Sequence, residues 1–231
     1  MNPAAVRPRL AACIITLDEA DRIDACIESL AFCDEVIVVD SGSTDGTRER
    51  AAARGARVLE RAFDGYRTQK DFAVQAAHCD WVLCIDADER VTPALRAAIE
   101  AARATGFGTA AAYRFARCTH YFGAPLRHGN AYPDRVLRLF DRRRAGWRGA
   151  REIHEQVGVD GPVARLAGDL EHQAYRSLGD QDITSPIASD AASLDAIIHE
   201  LETTRVPERA GRAMDHESED AFERLRAAGY M

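Results

Sequence analysis

Two aspartates one residue apart, Asp86-Ala87-Asp88, directly follow the apolar run Trp81-Val82-Leu83-Cys84-Ile85. Carboxylates at i and i+2, where the chain turns, can face one ligand. Hard oxygen donors suit Mg²⁺ or Mn²⁺, whose remaining shell is commonly phosphate oxygens and water. An acidic pair by itself is also what a solvated turn looks like; its position after a buried strand shifts the balance toward a binding site. A second polar strand end is Asp40-Ser41-Gly42-Ser43-Thr44-Asp45-Gly46-Thr47, after Val36-Ile37-Val38-Val39. Its small residues let the backbone turn tightly, and Asp45 or Thr47 suits the cap of a following helix. A third is Thr16-Leu17-Asp18-Glu19, at the end of the run that begins at Ala11.

The elements that must position these groups follow from periodicity. Ala11–Thr16, Val36–Val39, Arg57–Leu59 and Trp81–Ile85 read as strands. Between them, Ile23, Ile27 and Leu30 mark one helix face, and Thr47–Arg54 and Gln69–Ala77 read as further helices. Thr92-Pro93 combines an N-cap with a proline at the first helical position, opening a helix through Leu95 and Ile99. Ala110–Ala116 fits another strand, and residues 113–175 are β-rich and loop-rich. Continuous apolar strands alternating with helices predict an α/β fold around a mostly parallel sheet covered on both faces. Ligands bind beyond the carboxyl ends of such strands, so the three acidic ends are expected to converge on one cleft.

Composition limits the function classes. With 46% apolar and 29% charged residues among 231, the chain is not disordered. Its longest mainly apolar stretch, Leu10–Leu17, is too short for a membrane span or a signal peptide. Cys13, Cys26, Cys33, Cys79, Cys84 and Cys118 show no metal spacing, which predicts a reducing, cytoplasmic setting without disulfides. The net charge of −7 sits in residues 179–231, which hold 12 acidic and 5 basic side chains, while residues 1–178 are neutral. Nucleic-acid binding gains nothing from that balance. The break predicts a domain over 1–178 and an acidic, partly helical extension over 179–231. Leu194, Ile197, Ile198 and Leu201 give that extension one apolar stripe, expected to dock on protein, as a homodimer contact or within the chain. Of the 30 basic residues only Lys70 is a lysine, which hints that a compact ammonium is wanted there.

Ile14-Ile15-Thr16-Leu17-Asp18-Glu19, Val38–Thr47 and Trp81–Glu89 together resemble family 2 glycosyltransferases. Gln69-Lys70-Asp71-Phe72-Ala73 and His154-Glu155 are similar to the lipopolysaccharide core-type members. The resemblance runs in order over about residues 10–178. It implies a GT-A fold, inverting transfer from a nucleotide-sugar donor such as a UDP-sugar, and a divalent metal, Mg²⁺ or Mn²⁺. It places Thr16 and Glu19 at the nucleoside-binding edge, with Asp18 where the family usually has Asn. Asp40 and the turn bearing Ser43 match the base-holding segment, Asp86 the ribose-side aspartate and Asp88 the metal ligand. Lys70 falls near the nucleotide, where a cation could neutralise phosphate charge or bond the base. His172 resembles the downstream histidine that completes the metal shell.

Inversion requires a carboxylate to deprotonate the acceptor hydroxyl. Downstream of the acidic pair the candidates are Asp134, Glu152 and Glu155; the His-Glu resemblance favours Glu155, with Asp134 second. Arg135, Arg138, Arg142, Arg143, Arg144, Arg148 and Arg151 form either solvated edges and turns or a basic rim for a phosphorylated acceptor or anionic lipid surface. The expectation is an enzyme of cell-envelope glycan assembly that acts on a glycan or glycolipid acceptor, including lipopolysaccharide core, with peripheral membrane contact open. Transfer to polyprenyl phosphate or protein, or silent nucleotide-sugar binding, are the rival readings.

Overall fold

The computed structural model describes residues 7–121, 123–127, 132–148 and 156–174. The proposed boundary at 178, the acidic extension, and the pair His154-Glu155 with Glu152 and Arg151 lie outside these residues. The apolar runs form β1 (Leu10–Thr16), β2 (Glu35–Asp40), β3 (Arg57–Glu60) and β4 (Trp81–Asp86). They pair in parallel in the order β3-β2-β1-β4. Their side chains alternate between two buried faces, which is why they read as unbroken apolar runs rather than as alternating ones. Leu10, Ala12 and Ile14 enter one core with Leu83 and Ile85; Ala11, Cys13, Val82 and Cys84 enter the other.

Helices cover both faces. α1 (Ile23–Ser29), α2 (Thr47–Ala53) and α4 (Pro93–Ala104) supply Ile23, Ile27, Ala51, Leu95 and Ile99 to the first core. α3 (Tyr66–Ala76) supplies Ala73 and Val74 to the second. Thr92 caps α4 as expected, its Oγ1 accepting the N–H of Leu95. For α2 the cap position is Gly46 instead; Asp45 accepts the Thr47 N–H from one residue earlier.

Beyond β4 the sheet becomes mixed. β5 (Glu89–Val91), β6 (Ala112–Tyr121), β8 (Asp134–Asp141) and β11 (Val163–His172) complete the order β4-β8-β6-β11-β5, while β7 (Ala124–Pro125) pairs with β6. β9 (Ala145–Arg148) and β10 (Gln156–Val159) form a separate antiparallel pair that places Trp147 against Phe140 on the second core. Two irregularities have consequences. On β8, Tyr113 pairs with Leu139 but Arg114 with Leu137, so Arg138 is an extra, bulged residue. On β11 the register shifts between Arg165 and Asp169. Gly168 there has φ +90° and lies against the first turn of α4, where an added Cβ would meet Leu95 N at 2.3 Å.

All six cysteines are free thiols, and five are buried. Among the described residues, no helix is long and apolar enough to cross a membrane. One buried charge is purely architectural. Arg103, at the end of α4, donates to Pro8 O (2.6 Å) and Phe32 O (3.1 Å) and pairs with Asp34, which also accepts the Leu10 N–H. Arg103→Leu strands that carboxylate and both carbonyls. Chemical denaturation is expected to show a loss of about 3–5 kcal/mol, with ligand binding by the folded fraction unchanged.

Candidate active site

Each strand end is tied to its neighbour by side-chain bonds that only short polar residues can make. Asp40 is fully buried: Oδ1 accepts the N–H groups of Gly42 (2.9 Å) and Ser43 (2.8 Å), and the Ser43 hydroxyl donates to Oδ2. Gly42 takes the left-handed φ of +104° that lets the turn wrap back onto this carboxylate. Asp18 also has a positive φ, +52°, a conformation that Asn and Asp tolerate better than other non-glycine residues. Its N–H donates to Ser43 Oγ and its Oδ1 accepts the Thr44 N–H, both at 2.8 Å. Glu19 N–H donates to Thr47 Oγ1 at 2.8 Å. Asp18, Glu19 and Ser43 thus join the β1 and β2 ends into one rim.

Two polar atoms beside this rim, Thr16 Oγ1 and Gln69 Oε1, are buried and have no hydrogen-bond partner among the described residues. Both residues hold Ser41: Thr16 O accepts its N–H at 2.9 Å, and Gln69 Nε2 donates to its Oγ at 3.0 Å. Native proteins seldom leave such groups unsatisfied, so the pair marks a place where a polar ligand belongs.

The acidic pair at the end of β4 lies in a charge network. Gln69, Lys70, Ala73 and Val74 recur along the sheet-facing side of α3, and that spacing carries the Lys70 ammonium to 3.2 Å from Asp86 Oδ1. From the other side the β8 bulge turns Arg138 inward, its Nη2 3.1 Å from Asp86 Oδ2. Burial by itself would raise the Asp86 pKa, but Arg138 and Lys70 outweigh it and hold the carboxyl far below the ordinary aspartate range. Asp88 faces His172 Nε2 at 3.3 Å and Arg22 at 3.8 Å, and Gln173 N–H donates to its backbone oxygen at 2.9 Å. Burial lowers the His172 pKa, yet the bond to Asp88 and the charges of Asp88 and Glu89 more than reverse this, leaving it raised.

Glu89, fully buried, accepts the Asp86 N–H at 2.9 Å and lies 3.6 Å from Arg117 and 3.8 Å from Arg138. Burial first, then Asp86 and Asp88, raise its pKa. Arg117 in turn donates to Asp134 Oδ2 through Nε (2.9 Å), with its Nη2 2.7 Å from the same oxygen in an ion pair.

The structure therefore brings together Lys70 of α3, Asp86 at the end of β4, Asp88 in the turn that follows and His172 at the end of β11, with Asp134 joined to them through Arg117 and Glu89. Glu155 lies outside the described residues. Residues that the motif reading missed are Arg22, Glu89 and Arg117. Only Glu89, adjacent to the acidic pair, carried a local hint. The arginine run is not a uniform rim. Arg138 points inward, Arg142 reaches the carbonyls of Val74 and Gln75, Arg143 pairs with Asp141 and Asp80, and Arg148 with Asp160.

Asp88 and His172 supply a hard carboxylate oxygen and an imidazole nitrogen at one point, a donor set compatible with Mn²⁺ or Mg²⁺. No set of three or more acidic, histidine or cysteine groups placed to hold a metal is found among the described residues. The remainder of any shell would fall to phosphate oxygens and water.

The pattern of glycosyl transferase family 2 matches residues 11–156. The chain belongs to that family. Its relatives include LpsC, a lipopolysaccharide core biosynthesis glycosyltransferase of Rhizobium meliloti, 34% identical over 169 residues, 71% of this chain and 62% of that protein. An uncharacterized glycosyltransferase of Rickettsia bellii is 46% identical over 93 residues, 40% of this chain and 32% of the relative. The chain thus spans less than two thirds of either relative. Among solved structures, a mycobacterial protein at 21% identity superposes with a TM-score of 0.50 over 76% of this chain and 70% of that one, a likeness of fold. Family and fold agree with the GT-A architecture expected from the motifs.

Proposed function

We propose that this chain transfers a sugar, with inversion, from a nucleotide-sugar donor, a UDP-sugar, to a glycan or lipid acceptor of the cell envelope, in lipopolysaccharide core assembly. The observation that carries the reading is the meeting of Asp86 and Asp88 with Lys70, Arg138 and His172 at the carboxyl end of β4, beside the rim that exposes the needs of Thr16 and Gln69. Similarity to LpsC supports the class of acceptor.

In this reading the β1–β2 rim holds the nucleoside, with Asp40 keeping a lone pair beyond its three internal bonds for the base. Lys70 and Arg138 lie where the diphosphate would sit. The acceptor oxygen forms a bond to the anomeric carbon as the bond to the diphosphate oxygen breaks on the opposite side. The acceptor proton passes to a carboxylate, Glu155 in preference to Asp134. A divalent ion held by Asp88 and His172 would supply charge stabilisation for the departing diphosphate.

The test is a thermal-shift panel of nucleotide sugars with and without Mn²⁺, followed by assay of nucleoside diphosphate release. A cognate donor at a hundred times its Kd is expected to stabilise the fold by about 2.7 kcal/mol, more with Mn²⁺ than without. Absence of any donor-dependent shift overturns the reading; binding without turnover on any acceptor reduces the protein to a nucleotide-sugar binder.

A further inference from the structure

Both ring nitrogens of His172 have a neighbour. Nε2 faces Asp88 Oδ2 at 3.3 Å, and Nδ1 lies 3.2 Å from the hydroxyl oxygen of Thr119. The second contact follows from sheet register. Val163, Ala164 and Arg165 of β11 lie opposite Ala112, Tyr113 and Arg114 of β6, but beyond the register shift His172 lies opposite Thr119. Continued without that shift, the first register would set Tyr121 opposite His172 and Leu170 opposite Thr119. The irregularity between Arg165 and Asp169 therefore selects the residue that meets the imidazole. Thr119 is itself well fixed. Its backbone oxygen accepts the Leu126 N–H at 2.8 Å, and its branched Cβ restricts the torsion that aims the hydroxyl.

A neutral imidazole donates through one nitrogen and presents a lone pair on the other. The tautomer with Nε2–H suits Asp88 directly, and there the hydroxyl of Thr119 donates to Nδ1. The tautomer with a bare Nε2 is the one a metal ion needs, and there the hydroxyl accepts from Nδ1–H. The ring passes between the two by exchanging one N–H for the other through water. Because a hydroxyl both donates and accepts, Thr119 satisfies Nδ1 in either state and the ring keeps its place. A methyl group in its stead would leave Nδ1–H without an acceptor, at a cost to the metal-binding tautomer.

We propose that Thr119 is a positioning residue whose hydroxyl accepts the Nδ1 proton of His172 and so presents Nε2, beside Asp88, to a divalent ion. The inference rests on the reading of Asp88 and His172 as metal ligands given above.

The experiment measures Mn²⁺ affinity of the full chain from the electron paramagnetic resonance signal of the free ion, with UDP, GDP, CDP and ADP in parallel. Circular dichroism establishes that each variant is folded. Thr119→Val keeps size and strand preference and removes only the hydroxyl; it should bind Mn²⁺ about 10–100-fold more weakly. Thr119→Ala, which also lacks the hydroxyl, should lose as much, while Thr119→Ser should recover most of the affinity. In a His172→Ala background Thr119→Val should add nothing, because its effect passes through the ring. Wild-type affinity in Thr119→Val, a Ser variant as weak as Val, or additive losses in the double variant overturns the role of Thr119 while leaving the metal reading intact. Wild-type affinity in His172→Ala, or failure of the wild-type chain to take up Mn²⁺ with any of the four nucleotides, overturns the metal reading, and this proposal with it.

Discussion

Asp88→Ala is expected to abolish sugar transfer and to remove the Mn²⁺-dependent part of nucleotide affinity. The side chain is the hard-oxygen partner of His172, at 3.3 Å. Its loss takes away the carboxylate that pairs with both the His172 imidazole, at 3.3 Å, and the Arg22 guanidinium, at 3.8 Å. A site that keeps a single imidazole donor and no carboxylate oxygen does not retain a divalent ion. Asp86 keeps its own partners, Lys70 and Arg138, and Glu89 still accepts the Asp86 N–H, so the turn itself should persist. Metal-free nucleotide binding should therefore remain near wild type while the increment from Mn²⁺ disappears. Calorimetric titration of UDP with and without Mn²⁺, on protein shown to be folded by circular dichroism, measures both. An unchanged increment in a folded variant removes Asp88 from the metal assignment.

Glu155→Gln is expected to lower transfer by about 10²–10⁴-fold while leaving donor affinity intact, since the amide preserves shape and removes only the proton acceptor. Asp134→Asn should behave differently. Arg117 is hydrogen-bonded and ion-paired to Asp134 Oδ2, and the same guanidinium lies 3.6 Å from Glu89, the residue that fixes the Asp86 N–H. Removing the Asp134 charge frees Arg117 to rearrange toward Glu89 and so disturbs the turn that carries the acidic pair. Donor KM should rise together with a fall in kcat. Steady-state kinetics on the two variants separates the roles: a pure kcat loss in Asp134→Asn, with Glu155→Gln near wild type, assigns the base to Asp134 instead.

The sequence by itself determined the strand-helix order from β1 to β4. β1, β2 and β4 are legible because strands buried on both faces must be apolar at nearly every position, a property of neighbouring residues alone. Thr92-Pro93 and the turn after Asp40 are legible for the same reason, since capping and tight turning are settled within a few residues. The grouping of Asp40, Asp86 and Asp88 at one end followed from the parallel order of those strands.

What the local pattern could not contain is pairing over long separations. β5, only three residues long, exists because Glu89–Val91 hydrogen-bonds to the end of β11, which also delivers His172 to Asp88. Arg138 looked like one more cation in an arginine-rich run; a single bulged residue, defined only by its register against β6, turns it inward onto Asp86. Lys70 stood out by being the sole lysine, but its ion pair is with Asp86, 16 positions away in the chain. Apolar burial is written in the period of one segment. The pairing of buried charges depends on which segments the sheet brings side by side, and only the tertiary structure decides that.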